Sequence, residues 1–175
     1  MAESYKEIMN RISTFVFDID GVLTDSSVHV TESGEMLRIM NIRDGFAIKA
    51  ALESGYNVGI ISGGNNNGVR IRLQNLGVDA VYLASSDKVK AFNEFCELKS
   101  IEPAHVLYMG DDIPDYHVMQ LVGLATCPQD AVPEIKAVSK YISHVNGGRG
   151  AVRDVIEQVM KVQSKWHLYY NGQHD

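Results

Sequence analysis

Two aspartates, Asp18 and Asp20, follow an apolar run near the start of the sequence and are its first candidates for chemistry. The run 14–17 has high β propensity and is bounded by turn signals, which predicts a buried strand with both carboxylates at its carboxyl end. In open α/β sheets ligands bind at that edge. Two like charges about 4 Å apart repel by roughly 4 kcal/mol at an effective dielectric near 20. The pair therefore needs a cation, a shared proton or another compensating group, which makes a functional site the leading explanation.

Polar side chains also stand near the ends of three later strand-like segments. These further candidates are Ser62, Lys88, Asp111, Asp112 and Asp115. Because the carboxyl ends of parallel strands lie along one edge of a sheet, residues far apart in sequence can converge there on one cleft. Carboxylates without a nearby histidine or cysteine suit a hard cation, Mg²⁺ above all. A lysine and a hydroxyl beside that cation would bind a phosphoryl group, and an aspartate can act as its covalent nucleophile.

The rest of the chain alternates strand patterns with helix patterns over short connections. The predicted strands are 14–20, 57–61, 80–83, 106–109, 124–127 and 141–142, and the predicted helices end near Gly55 and Gly77 or cover 88–99, 114–122, 131–138 and 151–165. This alternation predicts an α/β fold with a doubly wound, mostly parallel, Rossmann-like sheet. The length of 175 residues suits one domain, residues 1–175, with a sizeable core.

Residues 27–40 predict a protruding β-hairpin around a turn that contains Gly34. The second arm, 35–40, has more apolar residues than one buried face requires. A small hairpin alone is marginally stable in water. We therefore expect this hairpin to pack against other subunits, and a strictly monomeric protein in sedimentation at micromolar concentration would count against that expectation.

The composition argues against several classes of partner. The net charge of −6 gives no field that would attract nucleic acid or an anionic membrane. No apolar run approaches the ~20 residues needed to cross a bilayer, and residues 1–11 lack the apolar core of a signal peptide. Cys96 and Cys127 have no metal-type spacing and suggest free thiols in a reducing compartment. We expect a cytoplasmic protein that binds neither nucleic acid nor membranes.

Taken together and in order, these motifs resemble the haloacid dehalogenase superfamily of aspartyl phosphatases. They are Asp18-Ile-Asp20-Gly21-Val-Leu-Thr24-Asp25, Ile61-Ser62-Gly63, Lys88 and Gly110-Asp111-Asp112-Ile-Pro-Asp115. The short span before Ser62 leaves no room for a cap domain, so the chain resembles the capless class. Two further stretches, Asn41-Ile-Arg43-Asp44-Gly45 and 147–153, are similar to the 3-deoxy-D-manno-octulosonate (KDO) 8-phosphate phosphatases of lipopolysaccharide precursor synthesis. The resemblance implies a homotetramer that hydrolyses a sugar-acid phosphate.

The resemblance also implies a division of labour between the first two aspartates. Asp18 would attack phosphorus and become phosphorylated. Asp20 would protonate the leaving sugar oxygen and then act as base for the water that hydrolyses the aspartyl phosphate. Mg²⁺ would be held by Asp18, by the main-chain carbonyl of Asp20 and by Asp111. Ser62 and Lys88 would bind the phosphoryl oxygens.

Further residues receive implied roles around this centre. Asp115 would orient the metal ligands and Lys88. Arg72 resembles a residue that binds the carboxylate of the sugar acid, and Arg149, in a glycine-rich loop, would lie on the substrate side. The tail 166–175 would reach a neighbouring subunit's site as a partial lid. Asp112 is interpreted only as a helix cap.

Two alternatives stay open at the level of the sequence. One is the same chemistry on a nine-carbon acid 9-phosphate, that of KDN or of N-acetylneuraminate. Enzymes of that kind look to carry an acidic residue and a lysine where this chain has Gly64 and Asn75, which favours the eight-carbon substrate. The other alternative is a non-catalytic phosphate-binding domain, and the intact pair Asp18 and Asp20 argues against it.

Overall fold

A six-stranded parallel sheet in the order β5-β4-β1-β6-β7-β8 forms the centre of the computed structural model, which describes residues 3–166. The strands are β1 Thr14–Phe17, β2 His29–Val30, β3 Met36–Leu37, β4 Asn57–Ile61, β5 Ala80–Tyr82, β6 Val106–Met109, β7 Leu124–Cys127 and β8 Tyr141–Ile142. Every neighbouring pair in this sheet is parallel. The predicted doubly wound sheet is confirmed.

Helices cover both faces of this sheet. They are α1 Tyr5–Met9, α2 Ile42–Glu53, α3 Asn67–Asn75, α4 Lys88–Lys99, α5 Tyr116–Met119, α6 Pro133–Val138 and α7 Ala151–Val162. Because successive side chains of a strand point to opposite faces, Phe15 and Phe17 pack with α1, α2, α3 and α7, whereas Val16 packs with α4, α5 and α6. All four residues of β1 are buried, as expected for a central strand covered on both sides.

The stretch between β1 and β4 contains only a hairpin and α2, so no cap domain is present there. Strands β2 and β3 pair antiparallel, which confirms the predicted hairpin. Its apolar side chains are exposed, and Ile39, directly after it, is 85% exposed. We call the set Val28, Val30, Met36, Leu37 and Ile39 the hairpin patch.

The helix predicted over 114–122 is divided in the structure into a 3₁₀ turn, Ile113–Asp115, and the short α5. Asp115 lies at the junction, and its carboxylate accepts a hydrogen bond from the main-chain N–H of Asp111 at 3.3 Å. That bond holds the tighter 3₁₀ turn against the end of β6, so the continuous helix does not form here.

Helices α2 and α7 are joined at their amino ends by Asp44. The residue before α7 is Gly150, which has no side chain to cap the helix. Asp44, only 1% exposed, accepts a hydrogen bond from the N–H of Arg153 at 2.8 Å and so caps α7 from another helix. Burial raises the pKa of the Asp44 carboxyl to about 6, although the N–H groups of Arg153 and Gly150 act against that rise.

Two observations bear on the predicted setting of the protein. None of the helices in residues 3–166 combines the length and the apolar character that a bilayer crossing requires. Cys96 and Cys127 are both buried and free, as expected.

Candidate active site

The carboxyl ends of β1, β4 and β6 and the amino end of α4 surround a cavity of about 550 Å³. It is lined by Asp18, Asp20, Ser26, Ser62, Gly63, Gly64, Ser85, Ser86, Lys88, Asp111, Asp112, Pro114 and Asp115. The convergence of its acidic residues with Ser62 and Lys88 was predicted, and the structure brings these residues together. The serines at positions 26, 85 and 86 were not predicted, because single serines in loops carry no distinguishing pattern.

Asp18 lies where β1 ends, and the sheet itself fixes its backbone. Its main-chain N–H donates to the carbonyl of Met109 on β6 at 3.1 Å. One carboxylate oxygen accepts from the N–H of Ile19 at 2.7 Å, and the other lies 2.8 Å from the Nζ of Lys88. Burial and the nearby Asp115 raise the pKa of Asp18 to about 6, against the opposing effects of Lys88 and of the Ile19 N–H.

Lys88 joins two buried carboxylates across the site. Its Nζ lies 2.8 Å from Asp18 and 2.7 Å from Asp115. Burial alone would lower the pKa of Lys88, but the two carboxylates outweigh burial and raise it. A cation in the first turn of a helix opposes the helix dipole. The carboxylates offset that cost, so the ammonium stays charged beside the position that a phosphoryl group would take.

Asp115 is fully buried, and both of its carboxylate oxygens are already engaged. Oδ1 accepts from Lys88 and, at 2.7 Å, from the hydroxyl of Tyr108, while Oδ2 accepts from the N–H of Asp111. Tyr108 was not predicted as part of this site. A tyrosine inside a fully buried strand is nevertheless a usable signal, because its hydroxyl must find a hydrogen-bond partner.

Three carboxylates in this cavity could hold a metal ion. Oxygen atoms of Asp18, Asp111 and Asp115 all lie within 4.8 Å of one another. Burial, Asp18 and Asp115 raise the pKa of Asp111 to about 7. One lysine against three carboxylates leaves excess negative charge in a buried site, and an oxygen-only donor set fits a hard divalent cation. The carboxylate of Asp115 accepts from three donors, whereas that of Asp18 has one donor on each oxygen and that of Asp111 has none within residues 3–166. Asp18 and Asp111 therefore have the greater capacity to bind the metal directly.

The turn that follows Asp20 needs glycine for two reasons. Gly21 has φ +91°, a conformation that side chains strongly disfavour, and a Cβ there would overlap the carboxylate of Asp111. The hydroxyl of Thr24 accepts from the N–H of Gly21 and donates to the carbonyl of Ile19, both at 3.3 Å. This turn lets the first and last acidic motifs approach each other closely.

The glycine-rich loop before α7 supports the same turn from outside. A Cβ on Gly147 would overlap the carbonyl of Gly21, and the N–H of Gly148 donates to the carbonyl of Val22 at 2.9 Å. Arg149, in this loop, is 69% exposed and lies 3.1 Å from Asp25. It does not line the cavity of Asp18, so its role on the substrate side stays a prediction.

Two other predicted substrate residues occupy different places. Arg72 is exposed on α3 and does not line the cavity; its guanidinium lies against Gly45 at the start of α2. Gly64 does line the cavity, and a Cβ there would lie 3.2 Å from the carboxylate of Asp20. The contribution of Arg72 to binding therefore stays a prediction, whereas the position of Gly64 within the site is observed.

Arg38, which follows β3 in the hairpin, reaches Asp20 and was not predicted. Its Nε and Nη2 donate to the two carboxylate oxygens of Asp20 at 2.7 and 3.0 Å. The Arg38 side chain is only 7% exposed and that of Asp20 37%. Nothing local in the sequence could have shown this pair, because a single cation on a hairpin arm is ordinarily solvated.

Comparison with known proteins identifies the family. Residues 80–156 match a haloacid dehalogenase-like hydrolase model. Over 154 residues, the chain is 39% identical to 3-deoxy-D-manno-octulosonate 8-phosphate phosphatase KdsC of Salmonella typhi, covering 88% of this chain and 82% of that relative. The chain belongs to this phosphatase family of the haloacid dehalogenase superfamily.

Solved structures of the same phosphatase family have the same fold. The enzyme from Yersinia pestis superposes with a TM-score of 0.92 at 33% identity, covering 95% of this chain and 90% of that one. The enzyme from Moraxella catarrhalis, solved in complex with magnesium ion, phosphate ion and KDO, gives 0.90 at 29% identity and covers 94% of each chain. The resemblance stated from the motifs is confirmed.

Proposed function

We propose that this chain is a Mg²⁺-dependent phosphatase that hydrolyses KDO 8-phosphate to KDO and phosphate, a step of lipopolysaccharide precursor synthesis. The observation that carries the proposal is the buried cluster in which Lys88 joins Asp18 and Asp115 beside Asp111. Such a cluster provides a nucleophile, a cation binding position and a phosphoryl-binding ammonium in one cavity. The names of the relatives and the Mg²⁺, phosphate and KDO bound in one of them support the substrate and the metal.

Asp18 and Asp20 have different roles in the reaction. An oxygen of Asp18 attacks phosphorus, the bond from phosphorus to the sugar oxygen breaks, and Asp20 gives its proton to that oxygen. Water then attacks the phosphorus of the aspartyl phosphate, Asp20 takes the proton from the water, and Asp18 is released with inorganic phosphate. Because Asp20 lies at the edge of the cavity with its side chain 37% exposed, it can reach both the leaving group and water.

The remaining groups hold the phosphoryl oxygens. A bound Mg²⁺, on Asp18 and Asp111, supplies neutralisation of the phosphoryl charge and orientation of the phosphate. The ammonium of Lys88, which lies between Asp18 and Asp115, adds a second positive charge beside the phosphoryl group. The hydroxyl of Ser62 accepts from the N–H of Gly64 at 3.3 Å, so its hydrogen is directed away from that bond and can be donated to a phosphoryl oxygen.

Phosphate release with Mg²⁺ tests the substrate most directly. KDO 8-phosphate is compared with the 9-phosphates of KDN and N-acetylneuraminate. We expect the highest kcat/KM for KDO 8-phosphate, because Gly64 and Asn75 lack the acid and the lysine of the nine-carbon pattern. A higher kcat/KM for either nine-carbon ester would change the proposed substrate but not the proposed reaction. No release from any of the three would favour a phosphate-binding domain without catalysis.

Metal binding is expected to depend on pH in a defined direction. Asp18 and Asp111 have pKa values of about 6 and about 7, raised from 3.8. The metal-free folded protein therefore holds protons that the unfolded chain releases, and the stability linked to these groups is lost as pH rises from about 4 to 7. Mg²⁺ replaces those protons, so its stabilising effect should grow over the same range.

Thermal unfolding at pH 5.5 and pH 8, each with Mg²⁺ or with EDTA, measures this effect. At 100 times its Kd a ligand stabilises by about 2.7 kcal/mol, or roughly 5–10 °C in Tm for a chain of this size. We expect a gain of that size at pH 8 and a much smaller one at pH 5.5. Asp111→Asn should remove most of the gain at pH 8, and equal gains at both pH values in the unaltered protein would contradict the prediction.

The hairpin patch supports assembly into a homotetramer. It exposes several apolar side chains on a two-stranded element that would be marginal alone. Sedimentation at micromolar concentration is expected to give four copies, and a monomer would contradict this assignment. The proposed lid, the tail 166–175, lies outside the described residues except for Trp166.

A further inference from the structure

The pair between Arg38 and Asp20 suggests a function for the hairpin within its own subunit. We propose that Arg38 is a positioning residue that fixes the carboxylate of Asp20 for its two proton transfers. The inference rests on the proposed function, in which Asp20 is the general acid and base. Both carboxylate oxygens accept from the planar guanidinium, at 2.7 and 3.0 Å, and such a bidentate pair defines the plane of the carboxylate as well as its place.

Asp20 depends on Arg38 for this orientation. In residues 3–166, these two bonds are the only hydrogen bonds that the side chain of Asp20 makes, and its side chain is 37% exposed. A free carboxylate at the mouth of a cavity would sample several rotamers. A carboxyl group has about four lone-pair positions. One of the two that Arg38 leaves open can carry the proton that goes to the leaving oxygen, and the same position can later take the proton from the water.

Arg38 itself is held from the hairpin and from the loop after β4. Its Nη1 donates to the carbonyl of Met36 at 3.1 Å, and the side-chain amide of Asn66 donates to the same carbonyl at 3.0 Å. Asn66 also caps α3 by accepting from the N–H of Val69 at 2.9 Å. The guanidinium is therefore connected to the loop that carries Ser62.

Gly64 leaves the space in which the pair forms. A Cβ at this position would lie 3.2 Å from Asp20 Oδ2, closer than side chains ordinarily approach, and 3.4 Å from Arg38 Nη2, at van der Waals contact. Even alanine here would require the carboxylate of Asp20 to shift by a few tenths of an ångström. Gly64, which favours the eight-carbon substrate, thus also lies directly against Asp20, which delivers the proton, and against Arg38.

A direct role of Arg38 in binding the substrate is the competing explanation. The geometry favours positioning, because Nε, Nη1 and Nη2 all have partners within the protein and the side chain is 7% exposed. Two of the five N–H groups of the guanidinium remain without a hydrogen-bond partner in residues 3–166, but the low exposure of the side chain limits their access to a ligand. The two roles also predict different responses to the chemistry of the leaving group.

The leaving group separates proton transfer from binding of the phosphoryl group. A sugar alkoxide needs a proton as the bond from phosphorus to oxygen breaks, whereas p-nitrophenolate is a stable anion that departs without one. The ratio kcat/KM covers only the steps up to that departure. Loss of the positioned acid should therefore lower kcat/KM for KDO 8-phosphate and leave it nearly unchanged for p-nitrophenyl phosphate.

The experiment measures kcat/KM for both esters with Mg²⁺ in the full chain and in its variants. Asp20→Asn should lower the value for KDO 8-phosphate by about 10²–10⁴-fold, the usual range for general acid catalysis, and that for p-nitrophenyl phosphate far less. Arg38→Ala should lower the sugar-ester value by about 10- to 100-fold, less than removal of the acid itself, because the carboxyl group stays and loses only its orientation. Arg38→Lys keeps the positive charge but loses the bidentate geometry of the guanidinium. Its kcat/KM for KDO 8-phosphate should therefore lie between the values of the unaltered chain and of Arg38→Ala.

Two further variants make the result specific. Arg38→Ala combined with Asp20→Asn should be no slower than Asp20→Asn alone, because residues that act through one group are not additive. Glu35→Ala removes an exposed charge from the same hairpin and should leave kcat/KM unchanged for both esters. Circular dichroism checks the fold of each variant, and Arg38→Lys carries the comparison if Arg38→Ala does not fold.

The outcomes distinguish the inference from the function on which it rests. Equal losses on both esters in the Arg38 variants, with a selective loss in Asp20→Asn, would overturn the positioning role and assign Arg38 to substrate binding or to hairpin structure. A loss in Asp20→Asn that is the same for both esters would overturn the general-acid role of Asp20 itself. Selective losses at both positions with a non-additive double variant would establish the inference.

Discussion

Replacement of Asp18 by asparagine is expected to lower kcat for the sugar phosphate by on the order of 10⁶-fold, the size seen when an enzyme nucleophile is removed. An amide has the shape of the carboxylate but cannot form the acyl phosphate. The fold should persist, because the Ile19 N–H can still donate to the side-chain oxygen. Rapid-quench assays with labelled substrate should detect no phosphorylated protein.

Asp112→Asn is the matched control for that experiment. Asp112 lines the same cavity, but it is exposed and its carboxylate accepts from the N–H of Ile113 at 2.7 Å, as a helix cap does. An asparagine caps a helix about as well, so kcat should change by less than a few fold. Turnover retained in Asp18→Asn would remove Asp18 from the role of nucleophile.

Replacement of Lys88 by methionine should affect stability and turnover together. The side chain keeps its length and loses the ammonium that lies 2.8 and 2.7 Å from Asp18 and Asp115. Breaking a buried pair while its partners remain typically costs about 3–5 kcal/mol. Loss of one preorganised charge-stabilising donor typically lowers kcat by about 10²–10³-fold. Urea unfolding in EDTA and phosphate release with Mg²⁺ measure the two effects.

The pH dependence of this variant provides a second check. The destabilisation should be larger at pH 8 than at pH 5, because Asp18, with a pKa of about 6, is ionised only at the higher pH and then lacks its partner. Lys90→Met is the control: Lys90 lies two residues further along the same helix and is exposed. The free energy of unfolding of Lys90→Met should lie within about 0.5 kcal/mol of that of the unaltered chain. Equal stability of Lys88→Met and Lys90→Met would contradict the pairing.

The catalytic edge could be predicted from the sequence because it follows from sheet topology. When strands and helices alternate, the carboxyl ends of the parallel strands lie along one edge of the sheet. The residues at those ends can be identified without knowledge of side-chain packing. That reasoning placed Asp18, Ser62, Lys88 and Asp111 in one cavity, where the structure has them. The fold class was predictable for the same reason.

Contacts that depend on tertiary packing were not predictable. Asp44 stands in a sequence motif at the start of α2, but the helix that it caps begins with Ala151, far along the chain. Arg38 was not predicted, because only the folding of the hairpin over the cavity brings its guanidinium to Asp20. The glycines of the loop before α7 serve the close approach of two main-chain segments, which no local pattern showed; the substrate role of Arg149 in that loop stays a prediction.

The contact between Gly147 and the carbonyl of Gly21 has a consequence for how the protein is made. At the usual ~5–20 residues per second, roughly 6 to 25 s separate the synthesis of these two positions on the ribosome. Strand β1 also waits for both of its neighbours, β4 and β6, which follow it in the chain. The nascent polypeptide therefore cannot concentrate its carboxylates at one point until Asp111 and Asp115 have been made, about two-thirds of the way along the chain, so the repulsion among them does not burden the early stages of folding.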